Sequence, residues 1–452
     1  MYRLLYLKNS VLNRLFLYFQ DYFSNATKPT ARNLFLLVIS ILTLDVFRSV
    51  RFAHSHVISR LADSSLNAFY YTLKTDAYDH SAWNDVTVSK AARVIPESLK
   101  NQPLFLSIDD TMMEKSGKQF ELCSKLYDHA AHNGSNYLNG HCMVSLLLSF
   151  PVYQEGKIRY RSVPVGYRLW DKEKSKITLA AELVTQAMKT IGSSRQVILL
   201  CDSWYPKAEV AALVHNFKNL ELVCNARTDT ALYELPPAKT GKKGRPRKRG
   251  NRIRLEEIPL HEPECGSWRI GVVPVITNLW KEKVVYALVT APKNGKGGRR
   301  LFFCTVDPRT IPFDWENSAD QAIYSYGAEN VLYLPLAWYG LRWDIEVSYY
   351  EEKTFWSLEE YRIRSKEGIE RLANLISLSY SAMTLLPYQE EVFSSCQCSS
   401  AQETRYEISQ QIQSELILCR FGKYLETIKN CSAIIKVVED YILSGFRKSQ
   451  NL

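Results

Sequence analysis

From residue 1 to about 95, apolar positions recur at threes and fours with few turn signals, the spacing of helices that bury one face. Within this region "SHVISRLADSSLNAFYYTLK" (Ser55 to Lys74) predicts two short helices around "DSS", with Asp63 or Ser64 capping the second. Such a pair suits a DNA-reading helix-turn-helix and equally any two helices of a bundle, and no glycine marks the turn. The texture changes at residue 103. "PLFLSIDDT" is a short apolar run ending in two carboxylates. A polar, Gly-containing loop from Met113 to Gly140 follows, and then "HCMVSLLLSFPV" and "IRYRSVPVGYRLW", strand-like in their apolar and β-branched content. Helical spacing returns in "KITLAAELVTQAMKTI" (Lys176 to Ile191), and another buried strand ending in an acid comes after it, "QVILLCDSWY".

The predicted order is therefore strand, strand, strand, helix, strand, with acids ending the first and fourth strands. Ligands of α/β sheets gather at strand carboxyl ends, so Asp109 or Asp110 and Asp202 are candidates to converge there. Taken singly, each acid would read as a turn or cap residue. Past Asp202, the runs "LELVCNARTD", "WRIGVVPVITNLW", "KVVYALVTAP" and "RRLFFCTVD" predict short strands of a β-rich insertion. After residue 354 the helical period resumes in "SLEEYRIRSKEGIERLANLISLSYSAMTLL" and "CRFGKYLETIKNCSAIIKVVEDYILSGF", separated by a polar linker, "SSCQCSSAQETR".

Composition narrows the class. A chain of 452 residues with 46% hydrophobic and 23% charged residues is that of a folded protein with more than one core. The longest apolar run, "LFLLVISILTL" (Leu34 to Leu44), would rise only about 16 Å as a helix, half a bilayer core, so it predicts a buried helix and no membrane partner. The first residues, "MYRLLYLKNS", lack a signal-peptide apolar core, which predicts a cytoplasmic protein. Ten cysteines with no CxxC pair give neither a zinc ribbon nor a disulfide framework, and read as buried thiols in a reducing compartment.

Charge then points to a partner. Lys and Arg number 57 against 47 Asp and Glu, a net +10 that favours phosphate-bearing ligands. Much of the surplus lies in "AKTGKKGRPRKRGNRIR" (Ala238 to Arg254), which contains no acid. Its Lys242, Lys243, Arg245, Arg247, Lys248 and Arg249 predict an extended cationic arm that gains affinity by displacing counterions from DNA phosphates. The core "GRPRK" resembles an AT-hook that lies in a narrow minor groove, and a second basic loop, "PKNGKGGRR", extends the same surface.

The densest chemistry lies in "WYGLRWDIEVSYYEEK" (Trp338 to Lys353). On a helix, Tyr339, Arg342, Glu346 and Lys353 line one stripe. An acid between an Arg and a Lys is favoured in its ionised form, as a metal ligand must be, and the cations are placed to hold phosphate oxygens. Periodicity also fits a surface helix with ion pairs, and helical phase does not choose among Asp344, Glu346, Glu351 and Glu352.

The spacing Y-(2)-R-(3)-E-(6)-K resembles the signature of bacterial insertion-sequence transposases of the DDE superfamily, and it singles out Glu346, with the other acids read as solvated. "IDDT" is similar to that family's first-acid motif, in which the acid directly precedes Thr, pointing to Asp110 with Asp109 as runner-up. "LLCDSWY" resembles the second-acid motif, at Asp202. The likeness spans roughly residues 100 to 375.

It implies a ribonuclease-H-like core in two parts, 98–205 and 336–385, interrupted by a β-rich insertion domain at 206–335 that carries the basic arm 238–254. A helical DNA-binding region at 1–97 and a helical region at 386–452 would flank the core. The resemblance further implies two Mg²⁺ ions, replaceable by Mn²⁺, on Asp110, Asp202 and Glu346, with Tyr339, Arg342 and Lys353 gripping the DNA backbone. Tyr286 is the candidate to stack on a flipped base, with Trp280 its rival. Expected partners are double-stranded DNA, as terminal inverted repeats and as target, and a second copy in a DNA-bound homodimer within the bacterial nucleoid. The implied activity is cleavage of element ends and strand transfer. Two rivals remain: a catalytically idle DNA-binding protein derived from such an element, and a structure-selective nuclease on the same core.

Overall fold

A computed structural model describes residues 10–117, 119–127, 136–238, 247–262, 267–280, 283–311 and 331–426, together with 436, 439 and 440. Its frame is a large mixed sheet. Strand β1 (Leu104–Glu114) lies at the centre, antiparallel to β3 (Tyr137–Gln154) on one side and parallel to β5 (Val197–Cys201) on the other. β4 (Lys157–Leu169) and the short β2 (Ser124–Tyr127) pair with β3, and β6 (Leu220–Ala226) pairs parallel with β5. The order β4-β3-β1-β5-β6, with β3 antiparallel to its neighbours β4 and β1 while β1, β5 and β6 run parallel, is consistent with a ribonuclease-H-like core. β6, read from sequence as part of the insertion, is thus the next parallel strand after β5.

The remaining strands extend this sheet. β7 (Leu232–Tyr233), β8 (Arg252–Ile253), β9 (Trp268–Thr277), β10 (Val285–Pro292) and β11 (Arg300–Cys304) continue the order as β6-β11-β10-β9-β7-β8. β11 pairs antiparallel with β6 from Leu301↔Ala226 to Cys304↔Val223, so backbone hydrogen bonds cross the boundary expected between core and insertion.

Side-chain alternation gives the sheet two faces. Leu104, Leu106 and Ile108 of β1 join a core with Leu183 and Val184 of helix α5 (Lys176–Ile191), whereas Phe105 joins Ile198, Leu200 and Trp338 on the other face. Helix α5 begins and ends where the apolar spacing placed it, its N-cap Ser175 accepting from the Thr178 amide and Gly192 closing it at φ 78°, and α6 (Ala208–Asn216) lies between β5 and β6.

A helical layer covers the far end. It comprises α1 (Val11–Gln20), α2 (Lys28–Thr43), α3 (Leu66–Lys74) and α4 (Ala82–Val94) before the sheet. After the sheet come α9 (Lys366–Gln389) and α10 (Ala401–Glu426). Every side chain of α9 from Arg371 to Pro387 is buried, the condition of a helix surrounded by protein. Buried charges serve as caps: Glu415 of α10 accepts from the Val11 and Leu12 amides at 2.6 and 3.1 Å, and Arg405 donates to the Leu42, Leu44 and Phe355 carbonyls. The run Leu34 to Leu44 is a buried helix as expected, and among the described residues no helix is long and apolar enough to cross a membrane. Two helical pieces flank 62–65 within Ser55 to Lys74, but the cap position of α3 is Ser65 rather than Asp63 or Ser64, and Ser65 makes no capping bond.

The stretch from Trp338 to Lys353 is two helices, not one: α7 (Leu334–Gly340) and α8 (Trp343–Phe355). Between them the chain tightens, with the Leu341 and Arg342 amides bonding three residues back to the Trp338 and Tyr339 carbonyls. The acids expected to be solvated are not. Glu352 is fully buried and accepts from the Tyr167 hydroxyl at 2.5 Å; Asp344 accepts from Ser162 and Glu351 from Tyr380. Burial is the main cause that pushes the Glu352 carboxyl up to about 8, opposed by the Tyr167 and Ser348 hydrogen bonds and aided by the charge of Glu351. A folded-state value above the unfolded 4.5 makes the stabilising form the protonated one, so its contribution is complete below about 4.5 and is lost as pH rises through about 8. Urea midpoints at pH 5 and pH 8.5 are expected to show that Glu352→Gln removes a pH-dependent loss of roughly 2–4 kcal/mol. A variant with the wild-type pH slope would contradict the assignment.

Candidate active site

The two adjacent acids of β1 part company because a strand turns successive side chains to opposite faces. Asp109 follows Phe105 to the face of α7 and α8, and Asp110 follows Ile108 to the face of α5. Asp202, one residue past β5, continues the even-numbered set Ile198 and Leu200, which shares Phe105's face. Asp109 and Asp202 therefore meet where the parallel β1 and β5 come to the end of their pairing, at Ile108↔Cys201. Both carboxyls are pushed up, Asp109 to about 8, first by burial. The charges of Asp202, Glu346 and Asp110 raise Asp109 further, against a lowering hydrogen bond from the Asp110 amide. For Asp202 the Trp204 amide and Arg342 lower the value while Asp110 raises it.

Helix α8 brings the third acid. Arg342, at the tight joint before α8, donates from Nη1 to Asp109 Oδ2 at 3.1 Å and to Glu346 Oε1 at 3.4 Å, bridging the strand to the helix. Its guanidinium lies 5.7 Å from the Tyr339 ring centre, and Tyr339 packs edge-on against Phe302 at 5.2 Å. Burial raises the Tyr339 hydroxyl far above its ordinary range, so it stays a neutral donor. Lys353 is turned to the protein, donating to the Met112 carbonyl at 2.6 Å and pairing with Glu359 at 2.7 Å.

Residues 58–269 match the DDE superfamily endonuclease family. The DDE endonuclease match takes in β1 with both its acids, β5 and Asp202, and ends ahead of α8, so Glu346 enters the site by geometry alone. No curated protein matches the chain.

DDE endonucleases generally use divalent metals. Asp109, Asp202 and Glu346 offer only carboxylate oxygens, the donor type of Mg²⁺ and Mn²⁺, and their mutual repulsion is what a cation would relieve. The donor chemistry fits such ions. Among the described residues no three His, Cys, Asp or Glu side chains close around one point, and Arg342 supplies the positive charge between Asp109 and Glu346.

Asp110, preferred from sequence, sits on the opposite face with both oxygens engaged. Lys176 Nζ donates to Oδ2 at 2.8 Å, the Tyr205 hydroxyl to Oδ1 at 2.7 Å and Cys142 Sγ to Oδ2 at 3.2 Å. Sequence reasoning missed Lys176, Tyr205 and Glu359 altogether. Tyr205 is the last residue of "LLCDSWY", but a single aromatic after a strand carries no periodic signal.

The remaining expectations scatter along the sheet. Lys242, Lys243 and Arg245 lie outside the described residues, whereas Arg247, Lys248 and Arg249 are exposed beside β8. Arg249 is held by Asn278 at 2.7 Å and over the Tyr233 ring at 3.8 Å. In the second basic loop, Arg299 donates to the Leu255 and Ile258 carbonyls and so fastens that loop to the turn that follows β8. Trp280 is buried and presents no face, while Tyr286 is partly exposed with Arg309 5.9 Å from its ring centre.

Proposed function

We propose that the chain is a DNA transposase of the insertion-sequence kind, cleaving element ends and joining them to target DNA. The observation that carries this reading is that Asp109, Asp202 and Glu346 face one side of the sheet at the end of two parallel strands, with Arg342 bridging Asp109 to Glu346. These three carboxylates would hold the divalent ions, in place of the set with Asp110. Mg²⁺ or Mn²⁺ bound there would activate the attacking oxygen and stabilise the leaving one.

The chain's own groups do the rest. Arg342 is placed to turn its guanidinium from Asp109 and Glu346 to a phosphate, with Tyr339 as a neutral donor beside it. Lys353 joins them on release from Glu359. No side chain forms a covalent bond to DNA in this scheme, so one site serves hydrolysis and strand transfer alike. The β7–β8 end of the sheet, beside the basic arm, is six to seven strand spacings from β1, roughly 30 Å along the sheet, close to one turn of DNA. An arm there reaches the backbone one turn from the cleavage point, and a dimer on DNA would pair two such ends.

The test is purified protein with Mg²⁺ or Mn²⁺ and a duplex carrying the end of the element that encodes the chain, beside Asp202→Ala. Nicked, hairpin and joined products are expected from the wild type alone. Binding without cleavage under either metal would establish the idle binder, and cleavage without joining the plain nuclease.

A further inference from the structure

The doublet of acids on β1 divides two tasks. The backbone ladder between β1 and β5 has its last pair at Ile108↔Cys201, so the two chain segments that carry Asp109 and Asp202 have run out of ladder where the carboxylates begin. Beyond that point a side-chain link joins them: the Tyr205 hydroxyl, on the segment after Asp202, donates to Asp110 Oδ1 at 2.7 Å. Tyr205 is 1% exposed, so its hydroxyl has no water to exchange for this bond. Lys176 at the start of α5 holds the other oxygen at 2.8 Å and fixes the carboxylate's orientation. On the same segment the Trp204 amide donates to Asp202 Oδ1 at 2.9 Å, so movement of Tyr205 is transmitted to Asp202.

We propose that Asp110 and Tyr205, steadied by Lys176, form a brace that fixes the separation of Asp109 and Asp202 and thereby tunes divalent-metal affinity. The brace rests on the reading of Asp109, Asp202 and Glu346 as the metal-holding set. Asp110 and Tyr205 act through their neighbours as positioning residues. Partners of this kind, outside the ligands themselves, typically change metal affinity by about 10- to 100-fold.

The test is Mn²⁺ binding to the full chain, followed by electron paramagnetic resonance, with thermal melting and metal-free DNA binding measured in parallel. Tyr205→Phe is expected to weaken Mn²⁺ binding about tenfold or more with DNA affinity unchanged. Cys142→Ala, which touches the same carboxylate from β3 without linking the two segments, is expected to bind Mn²⁺ as the wild type does. Asp110→Asn keeps an oxygen for the Tyr205 hydroxyl and is expected to lose less than Asp110→Ala; this pair carries the comparison should Tyr205→Phe melt early. Wild-type Mn²⁺ binding in Tyr205→Phe, or equal losses in the two Asp110 variants, would overturn the brace. Asp109→Asn separates the premise from the proposal: undiminished Mn²⁺ binding there would sink the metal-holding set, and the brace with it.

Discussion

Asp109→Asn is expected to lower the rate of DNA strand cleavage about 10³-fold or more, and Asp202→Asn and Glu346→Gln by similar factors. An amide keeps the shape of the carboxylate but not the charge. A site that must hold divalent cations against a phosphodiester loses several kcal/mol of transition-state stabilisation with each ligand, and about 1.4 kcal/mol is a factor of ten. Asp110→Asn is the informative neighbour. Its carboxylate faces Lys176, Tyr205 and Cys142, so its loss acts only through the position of other groups, and a fall of about tenfold is expected. Rates on a pre-nicked element end, at one Mg²⁺ concentration near the wild-type half-saturation, compare the four variants without the complication of end pairing. Should Asp110→Asn be as inactive as Asp202→Asn while Asp109→Asn cleaves normally, the two acids have exchanged roles and the face assignment of β1 fails.

Which face each of these two acids takes was not legible in the sequence, for a physical reason. Alternation tells two faces apart only where one of them is wet. The run "LFLSIDDT" is apolar on both faces, because Leu104, Leu106 and Ile108 fill one core and Phe105 another. Parity becomes readable only when the sheet shows which core each side chain enters. Where one period dominates, the reading was direct: Lys176–Ile191 is a helix with the ends that its caps and spacing define. Long-range pairing was hidden for a different reason. β6 looked like the first strand of an insertion, and only its parallel ladder with β5 and its antiparallel ladder with β11 place it in the middle of one sheet.

The acids of α8 show the same limit from the other side. Helical phase treats Asp344, Glu346, Glu351 and Glu352 as equivalent, since it counts positions and not partners. Ser162, Tyr380 and Tyr167 come from β4 and α9, and they reach three of those acids from sequence distances no periodicity spans. Glu346 is left facing Arg342 and the open side of the site. Subtracting the acids that structure already employs leaves Glu346 as the acid proposed for chemistry.

Arg342→Leu is expected to cost about 100-fold in cleavage, and Arg342→Lys nearly as much, although lysine keeps the charge. One guanidinium nitrogen, Nη1, already serves both Asp109 and Glu346, and a planar fork carries further N–H groups for a phosphate oxygen. Lysine offers a single point of contact and cannot hold strand, helix and phosphate together. Each charge-assisted hydrogen bond of this type contributes about 1.5–3 kcal/mol, which sets the scale of the loss. The two variants are expected to separate in their pH profiles. Arg342 lowers the carboxyl of Asp202, so its removal raises that value and moves the acid limb of the cleavage profile to higher pH in Arg342→Leu. Arg342→Lys retains a positive charge and is expected to keep the acid limb near the wild-type position. Identical profiles for wild type and Arg342→Leu would show that the guanidinium grips DNA without acting on the acids, and the bridge from β1 to α8 would then be a contact of the DNA-free protein only.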